Sequence, residues 1–344
     1  AQAFTDAGWS TGAVVAARPV SSVYGFQHGF QVFHDAYPVR VKGPEVVKRA
    51  HGILEKLTDP FFLWVHFFDA HKPYKPREPF LSKARALAEG ARPPAADPEH
   101  CGEDLTLYRG EVMGVDKDFG DLLEILEARD PGLVHTVVFV TSDHGHCFGE
   151  GGFLNEHQPS LLQATQHVVG ILHLPGGARA GFRIAEPVSH VDVAPTLCEA
   201  AGLDALPGAQ GRSLLPLVRG ERWDAGGYFG KGVYMEAFEN QLRKRLADGT
   251  FDDRRKRGLL AGRWKYWEWV DHPGGPFLYD LEQGEEMNLA PKMPEKVEAM
   301  KQALERIERS LPPGHPGEVE MTPQERQAME ELGYVQGEEP EQQK

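Results

Sequence analysis

The sequence predicts an α/β fold: a mostly parallel sheet with helices on both faces, plus a small C-terminal antiparallel subdomain. Three observations predict it. As far as about residue 222, short apolar runs alternate with stretches of helical periodicity, the pattern of βαβ units. The run FFLWVHFF at residues 61–68 is apolar or aromatic at nearly every position, as in a strand covered on both faces. Beyond residue 222 the chain changes to short aromatic-rich runs separated by Pro/Gly turns, as in a small antiparallel sheet.

The elements follow in order. Residues 1–7 read as the last turns of a helix with Gly8 just past its end, leading into the apolar run 12–17. Residues 46–57 form a helix that Asp59-Pro60 separates from the 61–68 strand. The stretch EGARPPAADPEHCGED, residues 89–104, is rich in Pro, Gly and acid and reads as an exposed loop or insertion. After it, Leu105, Tyr108, Val112, Val115, Phe119, Leu122 and Leu126 recur at three- and four-residue steps, the stripe of a long helix lying on a sheet. Strands follow at 135–142 and 167–174, the second ended by Pro175 and two glycines. A helix starts near Asp192, with Pro195 in its first turn, and runs to Gly202. The aromatic runs 232–238, 259–269 and 277–281 make the small sheet, with a basic stretch at 243–257 between the first two. Val297, Met300, Leu304, Ile307 and Leu311 mark a last amphipathic helix. The expected organisation is a domain over 1–222, a subdomain over 223–317 and a loosely packed Pro- and Glu-rich tail over 318–344.

Composition narrows the function classes. With 41% hydrophobic and 26% charged residues in 344, the chain has the make-up of an ordinary globular protein. Its formal charge of −14 argues against a nucleic-acid backbone as partner, which needs a surplus of Lys and Arg. No run of roughly 18 apolar residues occurs, so no membrane span is expected. Cys101, Cys147 and Cys198 are too few and too scattered for a disulfide framework or a thiolate zinc cluster. The opening AQAFTDAGWS lacks an initiating Met and a signal-type apolar region, so preceding sequence is expected and the export route is left open.

Chemistry concentrates where strands end. In an open parallel sheet, ligands bind beyond the carboxyl ends of the strands. Asp143 and His144 stand there in FVTSDHGHCFGEGGFLNEH, and Gly145 permits the sharp turn that lets both reach one divalent cation. A turn-capping Asp143 beside an unremarkable His144 is the plainer alternative. FFLWVHFFDAHKPYKP delivers Asp69, His71, Lys72 and Lys75 to the expected carboxyl end of another strand, which suggests an anion held against a metal. Pro73 fixes the loop behind His71. His190 reads as a packing or helix-start residue, because Asp192 and Pro195 already explain a helix start there. Residues 243–257 read as a solvated face, and Trp264, Trp267 and Trp269 read as core.

Several segments together resemble the sulfatases of the alkaline-phosphatase superfamily. They are HFFDAHKPYKP, LYRGEVMGVDKDFGDLLEILE with TSDHG, PVSHVDVAPTLCEAAGL with GRSLLPLVRGE, LYDLEQGEEMNLA and the closing ELGYV, in that order. The resemblance implies an alkaline-phosphatase-like fold and metal-dependent hydrolysis of sulfuric esters, with a small-molecule or glycan sulfate ester as partner. It places Asp143 and His144 as late metal ligands, His71 at the leaving group or sulfuryl oxygens with Lys72 beside it, and His157 where relatives support the same oxygens. The cation implied is Ca2+, and an imidazole ligand also suits Mn2+ or Zn2+. The family's nucleophile is a formylglycine made in a C/S-x-P-x-R motif, and no such motif occurs in these 344 residues. The nucleophile is therefore expected only in a longer form, and the fragment alone is expected to be inactive. Two alternatives stay open: a phosphodiesterase or phosphonate monoester hydrolase of the same superfamily, and a non-catalytic truncated fragment.

Overall fold

The structure is a computed structural model that describes residues 1–35, 40–89, 98–152, 154–156, 161–221, 232–238, 255–270 and 273–311. The chain divides into two compact units, one of residues 1–142, 169–184 and 190–222, the other of residues 143–168, 185–189 and 223–344.

In the first unit, helix α1 (Gln2–Asp6) leads into β1 (Ser10–Val15), which pairs in parallel with β2 (Val32–His34) and β3 (Phe61–His66) in the order β2-β1-β3. Strand alternation sorts the side chains. Val14, Leu63 and Val65 join the core under α2 (Gly43–Leu54) and α4 (Pro98–Arg129), which supply Val46, Ile53, Leu122 and Leu126. Phe62 and Trp64 face the other way, where Phe4 of α1 stacks on Phe62 at 4.4 Å between ring centroids. All six residues of β3 stay half-buried, so the expected burial on both faces is corrected: aromatic rings too large to be fully covered line its second face. Arg129 closes the carboxyl end of α2, donating to the carbonyls of Leu54 at 2.8 Å and Leu57 at 2.9 Å.

The long helix begins earlier than its apolar stripe suggests. Residues 98–104, expected as loop, are the first turns of α4, which packs beside α3 (Phe80–Ala88), with Arg85 bonded to Glu103 at 3.2 Å. Its inward face also differs from the stripe. Val112 is exposed, whereas Thr106, Glu111 and Asp118 are buried and Gly110 and Gly114 face inward with them. Polar partners explain this: Arg77 donates to Asp118 at 2.5 Å, and Glu111 accepts from the Lys75 amide at 2.6 Å. Gly43 is required beside Asp118, because a Cβ there would lie 1.9 Å from the carboxylate oxygen.

Burial raises the Asp118 pKa above the ordinary 3.8, against the opposing pull of Arg77. A carboxyl with a raised folded value stabilises the fold most when protonated. That contribution is complete below pH 3.8 and is lost as pH rises through the raised value. Asp118→Asn is therefore expected to remove a downward slope of stability with pH, read as urea midpoints of both proteins across the acid range; parallel curves would refute it.

Strand β4 (Val138–Thr141) pairs antiparallel with β7 (Gly170–His173), the exception to the parallel pattern. Helices α6 (Val193–Ala200) and α7 (Leu215–Arg219) complete this unit. Asp192 caps their junction: its carboxylate accepts from the Arg212 amide at 3.0 Å, and the Thr196 hydroxyl accepts from the Leu214 amide at 2.9 Å.

The second unit contains the hairpin β5 (Cys147–Phe148) with β6 (Leu154–Glu156), the single-turn helix α5 (Gln163–Gln166), and an antiparallel sheet ordered β11-β10-β9-β8. The sheet strands are β8 (Val233–Phe238), β9 (Arg255–Ala261), β10 (Trp264–Trp269) and β11 (Phe277–Asp280). The run 259–269, expected as part of the small sheet, spans two strands joined at Gly262 and Arg263. One face packs Leu259, Tyr266 and Leu278 on Met300, Leu304 and Ile307 of α8 (Pro294–Ser310). The other carries Met235, Trp267 and Tyr279 with Leu161, so the tryptophans divide between the two faces. Each such buried side chain contributes about 1.5–3 kcal/mol.

Residues 255–257, the end of the basic stretch, lie inside β9, where Lys256 is buried with its ammonium over the Trp269 ring and Arg255 and Arg257 are neutralised; residues 243–254 are outside the described residues. Arg257 bonds Glu268 at 2.5 Å and also pairs with Glu308, while Arg255 bonds Glu236 at 3.0 Å. These two arginines are therefore bonded within the unit rather than solvated. Among the described residues no helix is long and apolar enough to cross a membrane. The tail expected over 318–344 lies outside the described residues.

Candidate functional site

In the first unit, β3 ends at His66 and the chain turns through Phe68 to Lys75. The His71 ring stacks on Phe68, 4.4 Å between centroids and 15° between planes. His71 Nδ1 lies 2.7 Å from the Lys72 carbonyl oxygen. A carbonyl only accepts, so Nδ1 carries the proton and the neutral ring keeps its lone pair on Nε2. Lys72 Nζ lies 3.8 Å from Asp104 Oδ2 and 5.9 Å from the centre of the Tyr74 ring.

Arg40 holds this loop. Its guanidinium donates to the carbonyls of Phe68 at 2.7 Å, Asp69 at 2.6 Å and Lys72 at 3.3 Å, and lies over the Phe68 ring. Burial lowers its pKa, while negative Asp69 and Glu111 pull the other way. Asp69 is fully buried, with Lys42 Nζ 3.5 Å from one oxygen; the same ammonium lies 3.3 Å from Glu111. Asp69 is thus part of the loop's foundation. Lys75 contributes its backbone amide to Glu111.

In the second unit, Asp143 and His144 open the segment after β4. The Asp143 side chain is 80% exposed and its Oδ2 lies 3.5 Å from His144 Nε2, while its Oδ1 accepts from the His144 amide at 3.0 Å. His144 Nδ1 donates to the Gly145 carbonyl at 2.8 Å, which again leaves the ring lone pair on Nε2. Two electron-rich atoms 3.5 Å apart repel each other unless a proton or a cation lies between them. Gly145 seats the turn: its amide donates to the Thr165 carbonyl at 2.8 Å, and a Cβ on it would lie 2.1 Å from the Ala164 oxygen. No larger residue fits there.

The structure thus gathers His71 with Lys72 on one loop of the first unit and Asp143 with His144 on one turn of the second. His157 lies outside the described residues. His190, read from sequence as a helix-start residue, does start the short turn before α6, and its Nε2 also donates to the Ser142 carbonyl at 2.8 Å, one residue before Asp143. Arg40 and Lys265 were missed by sequence reasoning. Arg40 carries no local signal. Lys265 does: a lysine alternating with Trp267 and Trp269 on one strand face has to be buried with a partner or to break that face.

Asp143 Oδ2 and His144 Nε2 fit two positions of a divalent cation's shell, an oxygen and a ring nitrogen whose tautomer is set by a carbonyl. Among the described residues no three His, Cys, Asp or Glu side chains are grouped to hold a metal.

A sequence profile described as Sulfatase matches residues 3–203. Arylsulfatase K of Danio rerio is 35% identical over 109 residues, covering 32% of this chain and 18% of that protein. N-acetylglucosamine-6-O-sulfatase of Bacteroides thetaiotaomicron is 32% identical over 114 residues, covering 33% and 20%. Arylsulfatase K of Homo sapiens is 26% identical over 212 residues, covering 58% and 36%. The matched part of the chain therefore spans between 18% and 36% of the length of these curated relatives. Among solved structures, a protein in complex with its substrate D-glucosamine-2-N,6-O-disulfate superposes with a TM-score of 0.72 at 16% identity, over 90% of this chain and 81% of that one. The phosphonate monoester hydrolase of Agrobacterium radiobacter superposes with 0.69 at 16% identity, over 90% and 80%. These likenesses show the alkaline-phosphatase-like fold.

Proposed function

We propose, from the premise that this chain belongs to the sulfatase family, that it supplies the cation-holding and leaving-group residues of a metal-dependent sulfuric ester hydrolase. The observation that carries the reading is the Asp143–His144 turn, where a carboxylate oxygen and an imidazole nitrogen of set tautomer converge. A bound divalent cation, Ca2+ or with this imidazole Mn2+ or Zn2+, would draw negative charge from the ester oxygens.

The remaining roles fall to the chain's own residues. His71, with its ring protonated at both nitrogens, is the proton donor to the departing oxygen through Nε2, since Nδ1–H is engaged with the Lys72 carbonyl. Such general-acid help is worth about 10²–10⁴-fold. Lys72 offers its ammonium to the anionic ester, and His157 is assigned by resemblance to the same oxygens. None of the cysteines at 101, 147 and 198 lies in a C/S-x-P-x-R motif, so the reading assigns the attacking group to none of them. The substrate proposed is a small-molecule or glycan sulfate ester. Support comes from the related N-acetylglucosamine-6-O-sulfatase and from the superposing protein solved with a sulfated glucosamine.

The Asp143–His144 pair favours a second reading as phosphonate monoester or phosphodiester hydrolase. Turnover of 4-nitrophenyl sulfate and of a 4-nitrophenyl phosphonate ester by the complete polypeptide containing these residues separates them. Faster sulfate turnover, abolished by Asp143→Ala, is the expected result. Faster phosphonate turnover would overturn it in favour of the second reading, and no turnover of either in favour of a non-catalytic chain.

A further inference from the structure

The second unit buries a charged pair that the proposed chemistry does not use. Lys265 of β10 is fully buried, its Nζ 2.9 Å from Glu285 Oε1 and 3.1 Å from Gln163 Oε1. Glu285 Oε2 accepts from the Gln163 amide at 2.6 Å. Burial lowers the Lys265 pKa, and Glu285 offsets part of that. A buried pair of this kind is weak support for stability, because apolar residues of like volume serve as well or better. Its use has to be sought in what it holds in place.

What it holds is α5. A four-residue helix has no intrinsic stability, so anchors set its position. One anchor is Leu161, packed with Met235, Trp267 and Tyr279; the other is the Lys265–Glu285 pair at Gln163. From α5 the connection runs on. The Thr165 carbonyl receives the Gly145 amide, the Gly145 carbonyl receives His144 Nδ1, and the His144 amide donates to Asp143 Oδ1. Gly145 lies tight against the Ala164 carbonyl, so a shift of α5 displaces the turn directly.

We propose that Lys265 and Glu285 are positioning residues for the Asp143–His144 turn: the C-terminal sheet, through one buried ion pair and a single helical turn, sets the tautomer and aim of the His144 ring. The inference rests on reading that turn as a cation site, although its first test does not. Substitutions of residues that support metal ligands commonly weaken metal binding 10–100-fold, which sets the size of the effect to look for.

The experiment uses the complete polypeptide containing these residues and three variants of it. Lys265→Met combined with Glu285→Leu removes the pair without leaving a buried charge. Gln163→Pro removes the amide and side-chain links at the first helical position, where proline is tolerated and Leu162 is already extended. Lys265→Arg keeps the charge. Imidazole 15N shifts of His144 in the metal-free protein should show the Nδ1–H tautomer in the wild type and in Lys265→Arg. Both disruptive variants should show a mixture, with His28 and His51 unchanged as controls. Mn2+ affinity should fall about tenfold or more in the same two variants. A His144 signature and an Mn2+ affinity that both match the wild type in Gln163→Pro would overturn the inference. A wild type that binds no Mn2+, yet whose His144 tautomer still follows the pair, would overturn the cation reading and leave the positioning role standing.

Discussion

Arg40→Met is expected to lower stability by about 3 kcal/mol, since hydrogen bonds from a charged donor are worth about 1.5–3 kcal/mol each and do not add fully. The methionine fills part of the space but donates nothing, so the carbonyls of Phe68 and Asp69 lose a short bond each. The measurement is the urea midpoint at unchanged m-value, together with amide exchange at His71 and Lys72. Exchange at those two residues should quicken more than in α2 or α4. Arg40→Lys keeps the charge but presents no planar fork, so it should recover less than half of the loss. A midpoint within error of the wild type would show that the Phe68–Lys72 loop holds itself.

The second large effect separates binding from folding. Asp143→Ala should remove divalent-cation binding at least about 100-fold while leaving the metal-free protein within about ±0.5 kcal/mol of the wild type. The reason is geometric: the Asp143 side chain is 80% exposed and its hydrogen bond and ion contact are to His144 alone, so little of the fold depends on it. At a cation concentration of 100 times the dissociation constant, the wild type should gain about 2.7 kcal/mol of apparent stability. The variant should gain at most about 0.4 kcal/mol. Equal thermal shifts by Mn2+ in both proteins would place any cation site elsewhere.

Where side-chain periodicity reports burial directly, the elements could be read from sequence. The β1 and β3 strands, α2, the body of α4 and α8 all follow apolar repeats that appear in the structure within a few residues. The misreadings share one cause. Val112 continues an apolar stripe yet is exposed, because Glu111 and Asp118 on the neighbouring face find Lys42, Lys75 and Arg77 and turn the helix toward them. The single run 259–269 concealed a turn, since Gly262 and Arg263 occupy only two positions between strands of like composition. The candidate site divides the same way. Asp143, His144, His71 and Lys72 stand out because ligand-type residues follow apolar strands, and His157 lies outside the described residues.

The sequence by itself determined the α/β pattern, the change to an antiparallel sheet after residue 222 and the placing of ligand-type residues at strand ends, because each depends on neighbours within a few positions. Only the tertiary structure decided that Arg40 grips the His71 loop, that His190 reaches the Ser142 carbonyl and that Lys265 anchors α5. Those partners lie 29, 48 and 102 residues apart along the chain, and a buried charge is defined by whichever distant group the fold brings to it.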